Sequence, residues 1–446
     1  MKIQYISSAT VLVEHGGIRV LCDPWLTDGI YYGSWYHYPP LRFTPESFSD
    51  VDYIYISHIH PDHLDSVTLQ RLPKSIPVLI HDYEDKFVLR IIKQLGFESV
   101  IELPHEQSFP LGPDFSIEIM AADDCDPAIC GLQFGCAAMK TSHRTLQIDS
   151  LALFQGGGKT LLNVNDCPFA LASQVCRRIA QRLGGIDFLL TGYGGAGPYP
   201  QCFENLDENE KITRAQAKQA QFLGQAVDCI QCLRPKFFMP FAGQYVLAGS
   251  LAHLNPLRGV AELEELAGLF QPQLERRGLR SELVQLNSGD WFDLETETSS
   301  APFVPPDAKE RSRYIREVLS LKHLTYQNGG AKTSRRDMTP LLGEAHARML
   351  RKQDQFGYRS PWRIYIDTGE ERLYAVSLNG EPVATVAQGE ELEPFVRIRL
   401  DHVLFEMILS RKAHWNNAEI GSHLRYFRQP DVFERNVYHF LCYLHC

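Results

Sequence analysis

The stretch His58-Ile59-His60-Pro61-Asp62-His63 constrains this chain more than any other. It directly follows the apolar run Tyr53-Ile54-Tyr55-Ile56. A short run of β-branched and aromatic residues reads as a buried strand. Ser57 therefore ends a strand, and the cluster sits on the loop at its C-terminal end. Three imidazoles and a carboxylate within six residues are ligands that suit zinc, iron or manganese. One loop cannot surround two metal ions, so a dinuclear site built on it must draw further ligands from other strand ends. The competing reading, a polar surface loop with incidental histidines, gives no reason for such dense spacing.

The 446 residues, 44% hydrophobic, suffice for a full core and point to two domains. A net charge of -10 argues against a non-specific nucleic-acid binder. No run of about 18 apolar residues occurs, so no membrane span is expected. The N-terminus, Met1 to Tyr5, enters a strand-like pattern without a signal-peptide layout. The 11 cysteines are odd in number and scattered, as in a reduced compartment, and cytoplasm is the expected location.

Residues 1 to 296 read as one α/β domain. Ile3 to Ile6, Val11 to Glu14 and Ile18 to Cys22 have strand patterns, with Gly16-Gly17 as a hairpin turn. Val78 to His81, Phe115 to Met120, Thr160 to Val164 and Phe237 to Met239 are further strands. Asp85 to Leu95 and Glu210 to Leu233 have helical spacing. Many hairpins and few early helices suggest a layered sandwich of mixed sheets with helices outside, not a doubly wound parallel sheet. Glu297 to Asp307, with three prolines and a Thr/Ser cluster, reads as a linker. Residues 308 to 446 then read as a smaller α+β domain. Its expected helices are Lys309 to Leu321, Leu341 to Lys352, His402 to Leu409 and Val432 to Leu444. Its expected strands are Arg363 to Ile366, Leu373 to Leu378, Pro382 to Ala387 and Phe395 to Leu400. The sequence shows no internal repeat.

Aspartates after apolar runs are candidates to complete the site. Asp23 lies in Leu21-Cys22-Asp23-Pro24-Trp25, Asp166 ends Leu162-Asn163-Val164-Asn165-Asp166, and Asp123, Asp124 and Asp126 follow the strand ending at Met120. A lone Asp in such a place is also common turn chemistry. Asp23 fits better as a residue that orients a ligand histidine from behind. Trp25 opens an aromatic segment running to Tyr38, a candidate pocket wall. The glycine-rich loop from Gly192 to Pro200 carries Tyr193 and Tyr199 and could position a substrate, or simply connect two elements. Cys229-Ile230-Gln231-Cys232 lies in a helical stretch and reads as core thiols. Gly156 to Lys159 lacks the rest of a phosphate-loop pattern and reads as a hairpin turn. His414 to Asn417 and His423, in the second domain, suggest no mechanism.

The order of strand, Asp-Pro-Trp-Leu, His-x-His-x-Asp-His and a post-strand Asp resembles the metallo-β-lactamase fold superfamily. That resemblance implies an αββα sandwich. It implies that His58 and His60 bind one metal, that Asp62 and His63 bind a second, and that Asp166 bridges both, with Asp62 and Asp166 at the centre of catalysis. Leu161 to Cys167, Gly194 to Pro200, Pro240 to Val246 and the pattern around Pro430 to His439 are also similar to the CMP-N-acetylneuraminate hydroxylase family. This extends the candidate substrate contacts to Gln244. No Cys-x-His pair of the kind that holds a Rieske cluster occurs in the 446 residues, so that family's electron-transfer route does not carry over.

Two departures from the superfamily pattern matter. Its third motif supplies a histidine where this chain has Asp123, Asp124 and Asp126. Its fifth has a histidine after a proline, where this chain has Pro240-Phe241-Ala242-Gly243; His253 could stand in. A carboxylate-rich set tilts preference from zinc toward iron or manganese. Three functions follow from this reading. The first is a hydrolase with one or two divalent metal ions (Zn, Fe or Mn) acting on an ester, amide or phosphoester. The second is a di-iron oxygenase that hydroxylates a small molecule and needs a partner reductase. The third is a degenerate, non-catalytic binding protein.

Overall fold

The computed structural model describes residues 1–83, 86–122, 149–327 and 337–445. Alternating apolar residues at its start do what the pattern dictates. Lys2–Ser7, Thr10–His15 and Ile18–Cys22 form an antiparallel meander, and His15 pairs with Ile18 across Gly16-Gly17. Both turn glycines have positive φ, which a two-residue hairpin requires. Tyr53–Tyr55, Val78–His81 and Val100–Leu103 then add in parallel. Trp291–Asp293 and Thr298–Ser299 return to pair on the other side of Lys2–Ser7, completing eight strands. Thr298 and Ser299, expected in the linker, are thus an edge strand.

The second sheet repeats the plan. Ser108–Gly112, Phe115–Ala121, Ser150–Gly156 and Lys159–Asn163 run antiparallel. Phe188–Gly192, Phe237–Phe241 and Glu282–Leu283 follow in parallel. The duplication is in topology; the sequence shows no repeat.

The two sheets face each other across a core that includes Ile3, Val11, Tyr55, Ile117, Phe154, Phe188 and Met239. Helices Ser66–Arg71 and Phe87–Gln94 cover the outer face of the first sheet. Phe169–Leu183, Glu208–Leu233 and Leu266–Arg276 cover the second. The chain therefore forms the expected αββα sandwich. Asp207 and Glu210 make a reciprocal capping box at the start of the longest helix, and Arg234 ends it in a left-handed conformation.

Residues 363–429 form a five-stranded mixed sheet in the order Ala384–Ala387, Arg372–Ser377, Arg363–Asp367, Phe395–Arg399, Arg425–Gln429. Helices Thr339–Phe356 and His402–Leu409 pack on it. Its apolar core is continuous with Trp25, Tyr31, Trp35, Phe203 and Tyr245 of the sandwich. Among the described residues, no helix is long and apolar enough to cross a membrane.

Phe188 is fully buried between the sheets, its ring centroid 5.3 Å from that of Phe292. Phe188→Ala should cost about 3–5 kcal/mol, the usual range for emptying such a site. Denaturant unfolding measures it, and a loss under about 1 kcal/mol would contradict this core.

Candidate metal centre

The C-terminal ends of Ile18–Cys22, Tyr53–Tyr55 and Lys159–Asn163 lie at one edge of the sandwich, and the candidate residues leave from there. The Asp23 N–H donates to Tyr55 O at 2.8 Å, which continues the parallel pairing by one bond. Asp23 has φ 44°, a conformation uncommon for a residue with a side chain. Its buried carboxylate accepts from Ser57 N (2.7 Å), Ser57 Oγ (2.6 Å) and His63 Nδ1 (2.8 Å). The other ring nitrogen, His63 Nε2, faces Asp62 Oδ2 at 3.4 Å and Asp166 Oδ2 at 3.5 Å.

His58 and His60 follow the same rule, one nitrogen turned in and one held from behind. His58 Nε2 and His60 Nδ1 lie 2.9 Å apart, and His58 Nε2 is 3.8 Å from Asp166 Oδ1. Behind them, His58 Nδ1 meets Ser57 Oγ at 2.9 Å and Asp149 Oδ1 at 3.6 Å, while His60 Nε2–H donates to Asn416 Oδ1 at 3.2 Å. Asp166 reaches this point because Asn165 takes the left-handed turn (φ 44°). Gly192 makes room: a Cβ there would stand 2.8 Å from Asp166 Cα.

Among the described residues, two groups could each hold a metal ion: His58, His60 and Asp166, and Asp62, His63 and Asp166. The ligand atoms within each lie within 4.8 Å of one another, and Asp166 is common to both. His63 Nε2 and Asp166 Oδ1 are buried with no hydrogen-bond partner. Buried polar atoms are rarely left so, and imidazole with carboxylate is a metal-binding donor set. The residues present therefore fit a divalent metal pair.

The electrostatics are those of a compact ion cluster. Burial pushes the His58 imidazole well below its usual pKa, with His63 beside it adding to the effect. Burial also lowers His60, against the opposing pull of Asp62 and Asp166. Burial alone would lower His63 too, but Asp166, Asp62 and Asp23 outweigh it and hold the ring well above its usual value. Asp149 is pushed up to about 8 by burial and then by Asp166.

Several expected residues fall elsewhere. His253 does not replace a missing ligand: its ring is exposed on the 3-10 helix Gly249–Leu257, with Nδ1 against Ser250 O at 2.8 Å. Trp25 does not wall an opening. It is fully buried, its indole N–H donates to Thr27 O, and its ring lies 3.8 Å from that of His37, because Asp-Pro turns it back into the core. Tyr193 is fully buried, with its ring against Gly243. Tyr199 packs edge-on to Phe203, and Gln244 accepts from the Tyr5 hydroxyl at 2.7 Å. Asp123, Asp124 and Asp126 lie outside the described residues.

Sequence reasoning missed Asp149, Asn416 and the role of Tyr31. The Tyr31 hydroxyl donates to Asp62 Oδ1 at 2.5 Å. Tyr31 and Tyr32 both have left-handed backbones, so the segment departs from any regular pattern a sequence could advertise.

A sequence profile of the β-lactamase superfamily domain matches residues 18–241, half of the chain. The chain belongs to the metallo-β-lactamase fold superfamily. Within the superfamily it is 26% identical over 260 residues to a Mycobacterium tuberculosis protein provisionally named a Rieske 2Fe-2S iron-sulfur protein, covering 57% of this chain and 46% of that one. It is also 26% identical over 278 residues to the cytidine monophosphate-N-acetylneuraminic acid hydroxylase of Danio rerio, covering 60% of this chain and 42% of that one. The chain thus spans under half the length of these relatives. Among solved structures, an isothiocyanate hydrolase from Delia radicum gut bacteria overlaps with a TM-score of 0.45 at 14% identity, covering 66% of this chain and 99% of that one.

Asp23→Ala removes the acceptor for three donors at once. It should destabilise the fold by about 3–5 kcal/mol, as breaking a buried charged pair does. A melt within a degree or two of wild type would contradict this. The pH dependence has a definite sign as well. His63 is held protonated above its usual range, and a metal on Nε2 must displace that proton. Metal affinity should therefore rise with pH through the neutral range, for as long as that ring carries its proton, approaching tenfold per unit for each proton released. Chelator competition at several pH values reads this directly, and a flat profile would refute it.

Proposed function

We propose that this chain is a metal-dependent hydrolase acting on an ester, amide or phosphoester of a small molecule. The metals would be held by His58, His60 and Asp166 on one side and by Asp62, His63 and Asp166 on the other. The observation that carries this reading is the sharing of Asp166 between two candidate ligand groups. Divalent metals there would supply Lewis acidity and lower the pKa of water to about 7.

The rest is the work of the chain's own groups. Ser57, Asn416 and Asp23 hold the outward nitrogens of His58, His60 and His63, so each ring presents its other nitrogen inward. Asp62 is fixed by Tyr31. Asp149 stands behind His58, its Oδ1 3.6 Å from His58 Nδ1. Asp166 remains about 29% exposed, so the cluster opens to solvent on that side. Hydrolysis ranks first because its balance closes with water and these groups.

A second reading, di-iron hydroxylation, is favoured by the hydroxylase names among the curated relatives and by the carboxylate share of the ligands. It requires dioxygen and two electrons from a reductase. Metal analysis of protein purified without added metal separates the two. Zinc or manganese, with turnover of an ester or phosphoester panel and no dioxygen uptake, supports the hydrolase. Two irons with reductant-dependent dioxygen uptake supports the hydroxylase. In either case His60→Ala should lose at least one metal equivalent while melting within a few degrees of wild type. Full metal content in that variant would refute the ligand assignment.

A further inference from the structure

The segment that suggested no mechanism from sequence, His414 to Asn417 with His423, reaches the metal centre at two points. Asn416 lies near the start of the short helix Trp415–Ile420. Its Oδ1 accepts from His60 Nε2–H at 3.2 Å, across 356 residues of chain. On the same short helix, the Glu419 carboxyl accepts from the Tyr426 hydroxyl at 2.6 Å. An amide oxygen can only accept, so the ring nitrogen facing it carries the proton and the lone pair of Nδ1 is left for the cluster.

The second point is the loop that carries Tyr31. His423 is buried, with Nδ1 accepting from the Tyr326 hydroxyl at 2.9 Å and Nε2–H donating to Tyr31 O at 2.7 Å. The backbones meet closely here: a Cβ on Gly421 would stand 2.6 Å from the His423 ring and 2.9 Å from Ser34 Oγ. Tyr31, anchored through its carbonyl in a left-handed conformation, points its hydroxyl at Asp62 Oδ1. One contact thus bears on the group containing His60, the other on the group containing Asp62.

We propose that the C-terminal module is a working part of the metal centre: Asn416 is a positioning residue for His60, and His423 positions Asp62 through Tyr31. This rests on the metal-centre reading above. It also goes beyond it, because it assigns the module a task in holding metal. An acceptor behind a ligand histidine fixes the ring and raises its basicity, and loss of such a partner typically costs 10–100-fold in metal affinity.

The test uses full-length protein stripped of metal and titrated with zinc against a chromophoric chelator. Wild type should take up two equivalents. Asn416→Ala and Asn416→Leu should each weaken one equivalent about 10–100-fold and leave the other unchanged. Leucine keeps the volume, so lost packing does not account for its effect. Asn416→Asp should restore affinity to within about threefold, because a carboxylate accepts the same N–H. Tyr31→Phe and His423→Ala should weaken the other equivalent. Wild-type affinity at both sites in Asn416→Ala and Asn416→Leu would overturn the proposal. So would an Asn416→Asp protein as weak as Asn416→Ala. Wild-type protein that takes up no zinc, and no ferrous iron or manganese in the same titration, would remove the metal-centre reading itself, and this inference with it.

Discussion

The buried carboxylate of Asp23 is the contact on which the rest of the site depends. It joins the end of one strand to the end of the next by accepting from Ser57 N, Ser57 Oγ and His63 Nδ1. Taking a carboxylate out of water costs several kcal/mol. Hydrogen bonds to a charged group offset part of that, at about 1.5–3 kcal/mol each. The balance is visible in the group itself, since burial raises its pKa despite the opposing effects of His63 and Ser57. A carboxylate held at net cost in the core earns its place through geometry: it sets the ring plane of His63 and the start of the histidine loop together. A second layer beneath repeats the logic without charge. Tyr83 and Ser150 hydroxyls both donate to Ser57 O at 2.8 Å, so the residue before the cluster is held on its carbonyl and on its N–H.

The site is not the property of the sandwich alone. Each ligand histidine presents one nitrogen inward and has the other engaged, but the three partners come from different places. Ser57 is adjacent in sequence to His58, Asp23 comes from the neighbouring strand, and Asn416 comes from the far module. The modules share one apolar core in which Trp35 stacks on Tyr245 at 3.5 Å between ring centroids. A continuous core of this kind allows little relative motion, and a 3.2 Å contact to His60 needs that rigidity. The C-terminal module borders the centre on the side of His60, where it can also shape what approaches.

How much of this the sequence carried depends on how local the signal was. The hairpin across Gly16-Gly17, the helix at His402–Leu409 and the histidine loop are all encoded within a dozen residues, and all read correctly. Asp23 behind a histidine was legible because a post-strand Asp-Pro suits that role. The helix Phe169–Leu183 was missed although Leu171, Val175 and Ile179 carry its period and Gly184 its cap. Asn416 and His423 are different. Nothing near either one in sequence points across hundreds of residues to His60 or Tyr31, and only the docking of two modules gives them a role. His253 shows the converse error, since closeness in sequence to a motif suggested a ligand where the backbone turns the ring to solvent.

The two halves of the sandwich show how one topology yields two jobs. In each half an antiparallel meander passes into parallel strands, and a non-glycine residue with φ 44° stands just beyond its last antiparallel strand, one residue past Cys22 in the first half and two past Asn163 in the second. In the first half that residue is Asp23, and its own carboxylate ends behind His63. In the second it is Asn165, whose side chain bonds back to Ser150 O at 2.5 Å. Asp166, one residue further, is carried past that anchor to face both His58 and His63. The two turns thus set one carboxylate behind the His63 ring and the other between the two histidine groups. Asn165 must keep its bond to Ser150 for this to hold, because a free turn would let Asp166 swing toward the open side where it is already part exposed. The placing of Asp166 between the two histidine groups is therefore only as firm as the Asn165 amide behind it.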